Sequence, residues 1–188
     1  MLSPLLLTAM LGVWPTPLTD AALRDRYGDL AALTAEIAQV KEGRFWARPM
    51  HSQITLRWTP SHIEWETTTP IKSLVTIEGD ALAITDARGK SRTLTAGADP
   101  RLRALMALLR AFLSLDLAAI EREYVLDYQG RELIARLRPQ AGVRFFSTLR
   151  FRFDDALELV SLDLESEAER TQLLFQKVVR SRRAGGAR

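Results

Sequence analysis

The sequence predicts an α+β domain: an antiparallel β-sheet accompanied by a few helices. Three observations carry this. Apolar residues recur with period two over most of the chain. Short turn signals such as Gly79-Asp80, Gly89-Lys90, Gln129-Gly130 and Asp154-Asp155 separate the runs. Helical periodicity is confined to two places, so the strand–helix alternation of a parallel α/β sheet is excluded.

The first element reads as a helix over 19–41. Thr19 or Asp20 can cap it, and Leu23, Tyr27, Leu30, Leu33, Ile37 and Val40 recur at helical spacing. Gly28 is a weak point in its interior. Beyond Gly43 the period drops to two. Ile54, Leu56 and Trp58 share one face of a strand, while Gln53, Thr55 and Arg57 share the other. Ile63 and Trp65 alternate with His62, Glu64 and Glu66 in the next strand, and further strands are expected over 74–78, 82–85 and 91–95. Asp99-Pro100 then opens a helix whose stripe is Leu102, Leu105, Met106, Leu109 and Phe112. Ser114 or Asp116 opens a second short helix through Leu117 and Ile120. Period two returns for strands over 124–128, 132–138, 144–153, 157–165 and 170–179.

A length of 188 residues fits one domain, expected over 19–180. Residues 1–18 hold an apolar run too short to span a bilayer, which suits an export signal or an N-terminal segment packed on the body. Residues 181–188 read as a basic, disordered tail. The net charge of +3 comes largely from Arg180, Arg182, Arg183 and Arg188, so the body is close to neutral. There are no cysteines, which removes disulfides, thiolate nucleophiles and Cys-based zinc sites.

Catalytic chemistry is thinly supplied. His51 and His62 show no metal-pair spacing, and Glu64 and Glu66 read as the outer face of a hairpin. Neither a nucleophile-elbow nor a phosphate-loop motif is present. We expect no enzyme, no cofactor and no metal. One reading is a nucleic-acid-binding or other interaction domain. Arg57 beside Trp58, Arg44 beside Phe45 and Trp46, and Arg144, Arg150 and Arg152 around Phe145 and Phe151 interleave basic and aromatic residues. Strand alternation sends the arginines and the rings to opposite faces, so no nucleic-acid partner is expected. The remaining possibility is a container. Its candidate lining is Ile54, Leu56, Trp58, Ile63, Trp65, Leu133, Leu137, Phe145 and Phe151 from strands, with Leu105, Leu109 and Phe112 from the helix. Periodicity alone does not separate a filled core from a cavity.

The order of these elements resembles the LolA family of periplasmic lipoprotein carriers. Leu56, Trp58, Pro60, Ile63, Trp65 and Pro70 occupy the places of that family's strand–Pro–strand–Pro pattern. Gln39-Val40 with Phe45-Trp46 is similar to its helix end and first strand. Ile77-Glu78-Gly79-Asp80-Ala81-Leu82 is similar to its next hairpin, and Leu137-Arg138-Pro139 to a later element. The resemblance implies a strongly curved, unclosed half-barrel with a helical lid, whose cavity holds the acyl chains of a lipoprotein. It further implies a monomer in the periplasm, loaded by an inner-membrane donor complex and unloaded at an outer-membrane acceptor. Thr59 stands where the family's lid-latching Arg belongs, which leaves Arg57 as the candidate latch; Ile54 stands at a usual Gly. These departures resemble the divergent branch associated with glycolipid or aryl-polyene synthesis, for which the cargo is a lipid or glycolipid.

Overall fold

The computed structural model describes residues 17–44, 47–97, 99–142 and 144–183. The export-signal reading and the Phe45-Trp46 resemblance therefore lie outside the described residues. Among those described, eleven strands form one antiparallel sheet that does not close. In chain order the elements are α1 (Asp20–Tyr27), β1 (Leu30–Gly43), β2 (Met50–Trp58), β3 (His62–Thr69), β4 (Ser73–Glu78), β5 (Ala81–Thr85) and β6 (Ser91–Thr95). The helices α2 (Pro100–Ser114) and α3 (Leu117–Glu123) follow, then β7 (Tyr124–Gln129), β8 (Glu132–Leu137), β9 (Thr148–Phe153), β10 (Leu159–Glu165) and β11 (Glu169–Arg182). The spatial order is β6-β5-β4-β3-β2-β1-β11-β10-β9-β8-β7.

The first helix is much shorter than its sequence pattern suggests. It starts as expected, with Thr19 Oγ1 accepting from the Ala22 N–H, and stops at Tyr27. Gly28 follows, and a Cβ there would sit 2.5 Å from the Arg24 carbonyl oxygen. From Leu30 the chain is a strand of 14 residues, paired on one side with β2 and on the other with β11. The helical stripe and the strand face share Leu33 and Ile37, and Ala35 between them is equally buried. Local propensity favours a helix for LAALTAEIAQV. Hydrogen-bond ladders on both sides outweigh that preference of a few tenths of a kcal/mol per residue. Gln39 and Val40, read as the end of the helix, lie in mid-strand.

The edges of the sheet are β6 and β7, and α2–α3 is the segment that joins them. The helices therefore cross the inner face as a lid tethered at both ends. Asp99 caps α2 by accepting from the Arg101 and Leu102 N–H groups, and Asp116 caps α3 by accepting from Ala119. Curvature is helped by irregularities in pairing. Across β1 and β11 the register jumps between Thr34↔Val179 and Glu36↔Gln176, and Lys177 takes a left-handed φ of 46° at that bulge. The result is an unclosed half-barrel with a helical lid. The last strand runs to Arg182, into the segment read as tail, and the Arg183 N–H donates to the Asp29 carbonyl.

Candidate functional site

Register lays the inner face out in cross-strand rows. One row is Leu33–Trp58–Ile63–Ile77–Leu82 and the next is Ala35–Leu56–Trp65–Val75. Moving along the strands, Ile37 and Ile54 are followed by Gln39 opposite Ser52, then Lys41 opposite Met50. On β3 and β4 the same shift reaches Thr67 opposite Ser73. The inner face thus grades from wholly apolar to largely polar along one direction.

Under the β8–β9 half, the lid fills this face. Leu133, Ala135, Leu149 and Phe151 are fully buried, and Phe112 of α2 packs edge-on to Phe151 with ring centroids 6.3 Å apart. Tyr124 meets Phe112 at 6.4 Å, and its burial pushes the phenol up to about 12. Under the β3–β4 half, the lid leaves a cavity of about 480 Å³, within the range of small-molecule sites. Ile63, Trp65, Val75 and Ile77 form its floor, while Leu109, Phe112 and Leu113 come from the lid and Leu162 and Leu173 close the side. Ile71 stands at its rim and is 70% exposed.

The sequence-derived candidates separate accordingly. Ile63, Trp65, Leu109 and Phe112 line this cavity. Ile54, Leu56, Leu133 and Phe151 belong to the buried core, and Leu137 is a partly buried neighbour of that core. Trp58 lines a second recess of about 570 Å³ on another side of α2, with Arg24, Arg110, Asp116 and Arg183 around it. Those mixed charges make it a poor match for an acyl chain, despite its greater volume. Phe145 lines a separate groove with residues of α2 and α3, while Leu105 is half-buried on α2 outside the cavity lining. Phe146, not Phe145, faces the cavity: the strand begins at Thr148, so alternation from β9 does not extend back to 145.

Arg57 faces outward, opposite Glu64 of β3, and forms an ion pair with it. It does not meet the lid. Other arginines hold the lid: Arg110 Nη2 of α2 donates to the Gly79 carbonyl at 2.6 Å, while Arg24 Nη2 and Arg138 Nε donate to the Glu121 carboxylate and carbonyl of α3 at 3.4 and 3.2 Å. Arg150 and Arg152 also face outward. They donate to the two oxygens of Glu132 at 3.0 and 2.7 Å. The Arg152 bond comes first in holding the Glu132 carboxyl below its usual range. These arginines and the aromatic rings thus occupy opposite faces. Among the described residues, no three His, Asp or Glu side chains gather as a metal site, and no helix is long and apolar enough to cross a membrane.

Neither a family model nor a curated protein matches the chain. Solved structures do resemble it in fold. One is a LolA superfamily protein from Nitrosomonas europaea, at 9% identity and a TM-score of 0.41, covering 86% of this chain and 93% of that one. The lipoprotein LppX of Mycobacterium tuberculosis aligns at 14% identity and a TM-score of 0.42, over 85% of this chain and 96% of its own. A DUF1329 family protein from Desulfovibrio piger gives 10% and 0.44, over 89% and 92%.

The polar end of the cavity, formed by Gln39, Ser52, Thr67, Ser73 and Thr171, is absent from the sequence-derived site. A signal for part of it was present. Ser52 is in phase with Ile54, Leu56 and Trp58, and Thr67 with Ile63 and Trp65. Gln39 comes into phase with Leu33, Ala35 and Ile37 only once 30–43 is a strand.

Proposed function

We propose that the protein is a carrier that shields the acyl chains of a lipoprotein or (glyco)lipid from water. The observation that supports this most directly is the unfilled, apolar-walled cavity under one half of the lid. Exposing an alkyl chain to water costs about 0.8 kcal/mol per methylene, so a protein moving such a chain between membranes must enclose it. A lid tethered at both ends can lift without leaving the body. Loading and unloading then need only differences in affinity between donor, carrier and acceptor, with no covalent step. The apolar run from Leu2 to Trp14 supports a periplasmic setting, between an inner-membrane donor and an outer-membrane acceptor.

The test is titration with N-phenylnaphthylamine, an uncharged fluorophore that brightens in apolar sites. Saturable binding with a single site per chain is expected, displaced by alkyl-chain amphiphiles and weakened at least tenfold by Leu109→Glu. Absence of saturable binding by the intact protein would sink the carrier reading.

A further inference from the structure

We infer that the polar end of the cavity is a headgroup site selective for an uncharged, hydroxyl-rich headgroup. This rests on the carrier reading and narrows it to neutral amphiphiles. Gln39 faces Ser52 across β1 and β2, and Thr67 faces Ser73 across β3 and β4, all on the inner face. None of these four side chains makes a hydrogen bond to another described residue. Ser52 is only 5% exposed. All four open onto the cavity, and polar groups gathered at one end of an apolar cavity are a set of donors and acceptors left for a ligand. Three hydroxyls and an amide each give and accept hydrogen bonds, which is the complement a polyol needs.

Charge at this end argues against an ionic headgroup. Lys41 and Glu169 are the charged residues of the cavity wall, and they face each other at 3.5 Å. Thr171 Oγ1 donates to Glu169 Oε1 at 3.0 Å, which holds that carboxylate in place. A carboxylate or ammonium headgroup would lose its hydration without meeting an uncompensated opposite charge. A neutral polyol loses less and finds partners.

Amphiphiles sharing one dodecyl chain separate the headgroup from the chain. Each is used below its micellar concentration to displace N-phenylnaphthylamine from the whole protein. Dodecyl maltoside is expected to bind about tenfold more tightly than dodecanoate or dodecyltrimethylammonium, the size of one to two net hydrogen bonds. Ser52→Ala and, separately, Thr67→Val should shrink that preference to about twofold; the first removes only a hydroxyl and the second replaces one by a methyl group of the same shape. Equal affinity for the three amphiphiles, tighter binding of a charged one, or a preference unchanged in both variants would overturn the headgroup site while leaving the carrier intact. Failure of all three to bind would overturn both.

Discussion

The two halves of the trough carry the same kind of strand sequence and end in different states. Leu149, Phe151 and Phe153 on β9 alternate as cleanly as Ile63, Trp65 and Thr67 on β3, and Leu133 and Ala135 on β8 extend the same inner face. On the first side, α2 and α3 press Phe112 and Ile120 into the face beside Tyr124 of β7, and Leu133, Leu149 and Phe151 are left fully buried. On the second, Trp65 and Val75 stay half-buried around open volume. Alternation shows which face is apolar; only the placement of the lid shows whether that face is covered.

Truncation should expose this difference most strongly. Phe151→Ala in the filled half is expected to cost about 3–5 kcal/mol in urea unfolding. Trp65→Ala in the open half should cost roughly 1–2 kcal/mol, with the loss falling mainly on probe binding. Equal destabilisation by both would erase the contrast. Gly28→Ala comes next, at about 1–3 kcal/mol, because the methyl group meets the Arg24 carbonyl at the point where helix gives way to strand. If that variant is instead stabilised, the glycine is not what ends α1.

Titration sharpens the contrast from the filled side. The Tyr27 hydroxyl donates to the Leu157 carbonyl at 2.9 Å and accepts from the Leu159 N–H at 3.0 Å. Burial raises its phenol from 10.0 to about 12. The folded state therefore keeps a proton that the unfolded chain gives up. Its contribution is complete below pH 10 and is lost as the pH rises to about 12. Tyr27→Phe should flatten that limb of the stability–pH curve. Glu132 acts in the opposite sense. Its lowered carboxyl contributes above the ordinary carboxylate range, and the contribution fades as the pH falls through the lowered value. Glu132→Gln should make acid unfolding shallower, and an unchanged acid limb would discount the Arg152 contact. The smallest effect belongs to Arg57→Ala. An exposed ion pair contributes at most about 1 kcal/mol, and on the outer face its loss should leave probe affinity unaltered. A fall in affinity would restore Arg57 as a latch.

The sheet was legible because short turns and period two leave few alternatives: ten of the strands lie close to where alternation puts them. The eleventh, β1, was hidden. Its leucines and alanines satisfy a helical stripe and a strand face together, and the partners that decide between them, β2 and β11, lie far away in sequence. The site was half legible for the same reason. Trp65 and Phe112 could be marked as apolar and inward, but whether they met each other or open space depends on how far α2 reaches across. Ser52 and Thr67 were passed over because polar residues in a strand are ordinarily assigned to water.

The seam between β1 and β11 has a consequence for how the molecule is made. The first strand and the last lie side by side at the middle of the sheet, between β2 and β10. While the chain is being produced, β1 and β10 each present an unpaired edge until β11 arrives. The two wings can form as separate meanders, since β2 to β6 and β7 to β10 pair with sequence neighbours. Their union waits on residues 169–182. Folding is thus gated by the slow, long-range closure that high contact order imposes. A nascent or clipped chain lacking that strand would be the sticky form of this protein, open at its centre.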